Sequence, residues 1–289
     1  MKHKSDTLKD YHQRINKVIL YINNHLSEDL NLNQLASYSN FSVYHFHRIM
    51  RAYLGEPIGN YILRLRLEAA ARLLMFTQEQ IADIAWKTAY ETPSAFTNAF
   101  KNRFGLSPIE FRNSAVNNHN FNLISKMQNN MQMEIKPLIK KIEAKKVIYF
   151  QVTDTYGSEK TAYAWERICG YMKEKNLFSF GMECIGVSHD DPSVTEPEKC
   201  RYDACLTVKQ DVKPDGEIGF KQIEGGRYAI FRYKGPYERL NEVYNYIYHS
   251  WLPSSGYELR DLPCFEKYLN SPDKHKPEDL KTHIYLPLK

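Results

Sequence analysis

The sequence predicts two domains: an all-α tandem helix-turn-helix, then an α+β domain of duplicated strand-helix-strand-strand units. Three observations predict this. Residues 11–113 carry helical hydrophobic spacing in two cycles, and residues of the first cycle recur 49 or 50 positions later in the second. From about residue 134 onward, β-rich runs alternate with helical ones, with a second recurrence at a separation of 80. Between them, SAVNNHNFNLISKMQNNMQM (114–133) is rich in Asn and carries only one charge, Lys126, as a linker does. The expected domains are therefore 1–113 and 134–289, and the chain's 289 residues exceed what one ordinary domain needs.

Composition narrows the class. Hydrophobic residues make up 43% and charged residues 25%, as in a globular chain. The first residues, MKHKSDTLKD, lack the apolar core of a signal peptide, and no apolar run approaches the roughly 18–20 residues of a membrane span. The expectation is a cytoplasmic protein with no membrane partner. The five cysteines form no CxxC pair and are odd in number, which suits reduced thiols. The net charge of +5 is unevenly placed. Residues 1–113 hold 14 Lys+Arg against 10 Asp+Glu, a balance of +4, whereas residues 134–289 hold 24 of each. The first domain is thus the one suited to a polyanion.

The helices follow in order. In YHQRINKVILYINNHL (11–26), Ile15, Val18, Ile19 and Ile22 share one face. Asn31 then precedes LNQLASYS with Gln34 three residues on, an N-cap with its capping-box partner. A short turn at Ser39-Asn40-Phe41 leads into FSVYHFHRIMRAYLG (41–55). There Phe46, Ile49, Met50 and Tyr53 make a core face, and Tyr44, His47, Arg48 and Arg51 make an aromatic-basic face. A longer helix is predicted at about 58–75. The cycle then restarts: Thr77 and Gln80 stand at capping-box spacing before IADIAWK, Thr88-Ala89-Tyr90 makes the turn, and Thr92 with Pro93 opens SAFTNAFKNRF. Ala36 matches Ala85 at 49 residues; Phe46 matches Phe96, Met50 matches Phe100 and Arg48 matches Asn98 at 50. The exposed face of the second cycle is Ser94, Thr97, Asn98 and Lys101.

A short helix, a tight turn and a second helix make a helix-turn-helix whose second helix can enter the major groove of double-stranded DNA. A connecting helix of about 27 Å would set two such units near the roughly 34 Å spacing of successive grooves. Arg48 can form a bidentate pair with guanine, His47 can reach a base edge, and Tyr44 can touch a thymine methyl or a phosphate. Arg51 suits phosphate and Asn98 suits adenine. A helical bundle whose polar faces are merely solvated is the alternative.

In the second half, VIYFQV, CIGVSH, ACLTVKQ, QIEGGRYAIFRYKG, CFEKYLN and THIYLPL read as strands, and 161–175 and 237–252 read as helices. Pro192 and Pro272, Pro197 and Pro277, Glu198 and Glu278, and Leu206 and Leu286 all differ by 80. Two such halves would leave a groove between their sheets, where ligands favour binding. On CFEKYLN, Glu266, Tyr268 and Asn270 share a face, and Glu266 stands where the first half has Gly186. A carboxylate among aromatics would attract a cationic, partly apolar ligand; the alternative is an exposed Glu at a sheet edge.

These stretches carry two resemblances. Residues 11–113 resemble the tandem helix-turn-helix domain of AraC-type transcription regulators, on LNQLASYSNFSVYHFHRIMRAYLGEPIGNYI and AFKNRFGLSPIEFR. The resemblance implies base contacts from the exposed faces of 43–53 and 93–103. One departure is Ala89, where the family commonly has glycine. Residues 134–289 resemble the GyrI-like effector-binding domain, on AWERI, GVSHDDPSVTEPEKCRYDAC, GGRYAIFRYKGPYERL, WLPSSGYE, PCFEKYLN and THIYLPL. That resemblance puts Glu266 at the ligand-facing acidic position, with Trp165, Tyr268, Tyr285, Tyr149 and Trp251 near it; the two tryptophans could equally be core. Together the two imply a DNA-binding regulator of transcription that responds to a small effector, more commonly an activator through contact with RNA polymerase. Two rival readings stay open: hydrolysis of small electrophiles at Glu266 with Tyr268 or Tyr285, or a second domain that binds another protein.

No metal or cofactor is expected. His45 and His47 lie two apart on a helix and cannot share an ion. Cys184 with His189, Asp190 and Asp191 lacks a second Cys or His at ligand spacing. GxGxxG, P-loop and GxSxG motifs are absent.

Overall fold

The computed structural model describes residues 4–117 and 136–289. They fall into two compact units, one helical and one built on a sheet. Among the described residues no helix is long and apolar enough to cross a membrane.

The helical unit runs α1 (Lys4–Asn24), α2 (Leu32–Tyr38), α3 (Val43–Leu54), α4 (Ile58–Phe76), α5 (Ile81–Lys87), α6 (Pro93–Phe104) and α7 (Pro108–Asn117). Ile15, Val18, Ile19 and Ile22 of α1 are buried with Leu35, Phe46, Met50 and the first half of α4. The expected start of α2 is present: the Asn31 side chain accepts from the Asn33 and Gln34 amides. So is that of α6, where Thr92 accepts from the Ala95 amide at 3.2 Å and proline follows it. Both α3 and α6 end at a left-handed glycine, Gly55 (φ 74°) and Gly105 (φ 76°), as helices often do.

The two turns are built alike. After α2, Asn40 takes φ 55° and the Phe41 amide bonds back to the Ala36 carbonyl; after α5, Ala89 takes φ 58° and the Tyr90 amide bonds to the Ala85 carbonyl. A buried hydroxyl supports each: Ser39 donates to the Leu35 and Ala36 carbonyls, Thr88 to those of Ile84 and Ala85. The 49-residue recurrence is thus a recurrence of hydrogen bonds.

Three helical expectations are corrected. Thr77 does not cap α5. It ends α4, its hydroxyl donating to the Leu73 carbonyl, and α5 begins after Gln80. Tyr53 leaves the core face of α3 and stands 45% exposed. Residues 114–117, read as linker, continue α7, and the rest of that segment to 133 lies outside the described residues.

The second unit runs β1 (Leu138–Ile142), β2 (Lys145–Thr153), α8 (Glu159–Glu174), β3 (Cys184–Ser188), β4 (Arg201–Thr207), β5 (Ile218–Ile223), β6 (Gly226–Lys234), α9 (Leu240–Tyr246), β7 (Phe265–Tyr268) and β8 (Lys281–Leu288). A π turn (Ile247–Trp251) and a last helical turn (Leu252–Ser255) continue α9. All eight strands make one antiparallel sheet in the order β1-β6-β8-β7-β3-β4-β2-β5. The order is palindromic: β2-α8-β3-β4 and β6-α9-β7-β8 are the two halves, joined where β3 pairs with β7. This corrects the expected groove between two sheets, because among the described residues there is a single sheet. The edge strand β1 is absent from the sequence reading, since LIKKI (138–142) is too short and charged to stand out. One face of the sheet packs on α8 and α9, with Ile148, Ala204 and Leu206 against Ile168 and Met172, and Phe231, Ile284 and Leu286 against Val243 and Ile247. The other face buries Val147, Ile185, Cys205, Tyr228 and Phe265.

Candidate functional sites

In the helical unit the packing splits α3 and α6 by face. Phe46 and Met50 of α3, and Phe96 and Phe100 of α6, are fully buried. That turns His47, Arg48 and Arg51 outward on α3, and Ser94, Asn98 and Lys101 outward on α6, with Thr97 half-buried beside them. The Tyr44 side chain lies outside the described residues. Neither α3 (VYHFHRIMRAYL) nor α6 (PSAFTNAFKNRF) contains an acidic residue, so their exposed faces carry only positive charge. Such a face favours an anionic partner, and a helix face of this width fits a major groove.

In the second unit the expected residues divide. Strand β7 lies inside the sheet, between β8 and β3, and Glu266 is only 4% exposed. The sheet-edge reading of Glu266 is thereby overturned. Its carboxylate is held twice: Tyr244 of α9 donates to Oε1 at 2.8 Å, and Tyr268 donates a short hydrogen bond to Oε2. The chain goes on, with the Tyr268 and Tyr202 hydroxyls 3.2 Å apart and the Trp165 indole N–H donating to Tyr202 at 3.1 Å. The Trp165 ring meets Tyr268 edge-on at 5.7 Å, and Tyr237 packs against Tyr268 at 5.2 Å. Burial pushes the Glu266 carboxyl above its ordinary range, and the Tyr268 and Tyr244 hydrogen bonds pull it part of the way back. Burial, with the neighbouring carboxylate, raises the phenols of Tyr268 and Tyr244 well above theirs and that of Tyr237 to about 12. These phenols are therefore donors, and the carboxylate is the one acid of the cluster.

Tyr149 and Tyr285 are not part of it. Tyr285 pairs in register with Phe265, and Tyr149 with Cys205, so both project from the sheet face opposite Glu266. Tyr285 stacks on Phe265 at 4.4 Å, and Lys221 sits over the Tyr149 ring at 4.8 Å. The error is one of parity: neither strand's facing can be read until its register with β7 is fixed. Trp251 packs on Phe231 at 5.0 Å and on Tyr257 at 6.0 Å, in the core under α9, its alternative reading. Asn270 lies beyond the end of β7, where it bonds the Asp279 carbonyl and the Lys281 amide. Three members of the cluster were missed: Tyr202, Tyr237 and Tyr244. Tyr237 and Tyr244 stand seven apart in a helical stretch, a spacing that puts them on one face. Tyr202 carried no signal.

The weak metal candidate has another use. Asp190 holds the Arg201 guanidinium at 2.5 and 2.9 Å, His189 holds Asp203 at 2.7 Å, and Asp191 accepts from Ser193. Lys221 and Gln151 also bond Asp203. Among the described residues no group of three or more His, Cys, Asp or Glu is arranged to hold a metal ion.

Residues 135–289 match the family described as GyrI-like small molecule binding domain, and residues 35–114 match a helix-turn-helix domain family. The chain is similar to the probable transcriptional regulator YgiV of Escherichia coli K12, 34% identical over 129 residues, which are 44% of this chain and 80% of that protein. It is similar along 95% of its length to the transcriptional regulator Rob of Salmonella typhimurium, 22% identical and covering 98% of that protein. Its amino-terminal part is similar to the HTH-type transcriptional activator AarP of Providencia stuartii, 34% identical over 98 residues, 34% of this chain and 73% of AarP.

Proposed function

We propose, for a chain that belongs to the family of GyrI-like small molecule binding domains and carries a helix-turn-helix domain ahead of it, that it is a DNA-binding transcription regulator governed by a small cationic, partly apolar effector. The exposed basic face of α3 and the polar face of α6 read double-stranded DNA, with Arg48 and Asn98 addressing bases and Arg51 and Lys101 addressing phosphate. The effector is held at Glu266. The observation that carries this reading is one carboxylate, 4% exposed, with two phenols on its oxygens and the rings of Trp165, Tyr237 and Tyr268 around it. A buried carboxylate whose ionised form is opposed by burial gains most from a cation, and aromatic faces add attraction for that charge. Activation through RNA polymerase fits the kinship with AarP, itself named an activator.

The test is a thermal-shift screen of the full chain against lipophilic quaternary cations, matched neutral compounds and anions, with Glu266→Gln alongside. A ligand at 100 times its dissociation constant adds about 2.7 kcal/mol of stability. Cations should stabilise the wild type and leave the Gln variant unmoved, and the cation should be recovered unchanged. Equal response of both proteins would remove the carboxylate from the reading, and turnover of the compound would favour hydrolysis over sensing.

A further inference from the structure

We propose that Glu68 is the positioning residue that fixes the two DNA-reading helices against each other, through an alternating ion-pair chain Glu56–Arg64–Glu68–Arg103, and so sets the spacing between the two DNA segments that the chain accepts. The proposal rests on the DNA-reading function above.

The chain of charges starts at the end of one reading helix and finishes at the end of the other. Glu56 follows Gly55, the residue that ends α3, and its Oε1 accepts from Arg64 Nε at 3.0 Å and Nη2 at 2.7 Å. One turn further along α4, Arg64 Nη1 lies 3.3 and 3.4 Å from the two oxygens of Glu68. Arg103, two residues before the Gly105 that ends α6, reaches the same Glu68 Oε1 with Nη2 at 3.5 Å. Glu68 is fully buried, Arg64 is 7% exposed, and the outer members Glu56 and Arg103 are 19% and 25% exposed.

Apolar packing sets the angle between helices only to within about 15–20°. The contacts of Phe46, Met50, Phe96 and Phe100 with their neighbours are non-directional, and rows of similar side chains tolerate small rotations. A guanidinium on a carboxylate is directional, and a buried charge without its partner is strongly disfavoured. Glu68 at the centre therefore admits the arrangement in which Arg64 and Arg103 converge on it. The chain is not a by-product of the internal repeat. Fifty residues separate Glu56 from Leu106 and Tyr53 from Arg103, so each unit supplies the end that its counterpart lacks. A fixed pair of reading helices demands a fixed distance between the DNA segments. One inserted base pair turns the second segment by about 34–36° around the duplex axis.

The experiment uses the full chain. A duplex is first selected by the wild type from a randomised pool, and affinity is then measured for it, for versions with one or two base pairs inserted between the contacted segments, and for a duplex holding the first segment alone. The wild type should lose about tenfold or more on a single insertion. In Glu68→Gln and in Arg103→Met that penalty should shrink to about threefold or less, with affinity for the first-segment duplex unchanged. Arg103 is partly exposed and its loss leaves Arg64 on Glu68, so this variant keeps the test open if Glu68→Gln fails to fold. A loss by the same factor on every duplex, or an undiminished insertion penalty, overturns the proposal. If the selected duplex has only one contacted segment, this inference alone fails; if the pool yields no preferred sequence, the DNA-reading function fails first.

Discussion

Gly186 and Glu266 are direct register partners across the β3–β7 pair, and a shift of 80 residues carries the first onto the second. The pseudo-twofold axis relating the halves therefore runs through this pair. At such a position two large side chains would compete for the same space, and here one half contributes a carboxylate and the other a hydrogen. The absent side chain matters: a Cβ on Gly186 would lie 2.5 Å from the Tyr268 hydroxyl and 2.6 Å from that of Tyr202. Glycine 186 is what lets the phenol chain reach Glu266.

Gly186→Ala should accordingly displace both phenols. The expected cost is about 1–3 kcal/mol, as for overpacking in a well-filled core, measured by urea unfolding. Cation binding by the folded variant should weaken alongside, measured by calorimetry. Unchanged stability and binding would mean that the phenol positions are not required.

The pH dependence of effector binding follows from the raised carboxyl of Glu266. A cation favours the ionised form, so affinity should be full above the raised value and fall as pH drops through it, beginning above the ordinary carboxylate range. Titrations at pH 7, 6 and 5 should show this in the wild type and a flat profile in Glu266→Gln.

For DNA reading, Arg48→Ala should cost about 1–3 kcal/mol on the selected duplex and much less on random DNA. Fluorescence anisotropy on both duplexes decides it. Equal losses would assign Arg48 to phosphate.

Acid stability should reflect Asp190. Burial pushes its carboxyl up, but the Arg201 guanidinium more than offsets this and brings it down to about 2. The folded state thus holds its proton less tightly than the unfolded chain. The associated stability is present above the ordinary carboxylate value near 4 and is lost as pH falls from there towards 2. Asp190→Asn should cost about 3–5 kcal/mol at neutral pH by leaving Arg201 buried without its charge partner, and should flatten unfolding midpoints over that acid range.

Ala89→Gly should raise stability by up to about 1 kcal/mol, because Ala89 holds φ 58° where glycine meets no Cβ penalty. Thermal unfolding of the helical unit is the readout. No gain would mean that glycine's greater freedom in the unfolded chain cancels the relief.

The sequence by itself determined the two domain classes, the tandem helix-turn-helix and the duplicated strand-helix-strand-strand plan, because periodicity, caps and turn chemistry are local. Phe46 with Phe96 and Met50 with Phe100 are legible since a helix repeats its own geometry at any place in the chain. Glu266, Tyr268 and Trp165 were also legible as candidates. What only the tertiary structure decided is which side of the sheet each strand shows to them. Tyr149 and Tyr285 differ from Tyr202 by a single step of strand parity, and parity is set by pairing with distant strands. The same holds for the Glu56–Arg64–Glu68–Arg103 chain: α4 offers Arg64 and Glu68 four residues apart in the sequence, but the arrival of Arg103 from 35 residues away is a fact of packing. Local spacing names the face of an element; only the fold brings faces together.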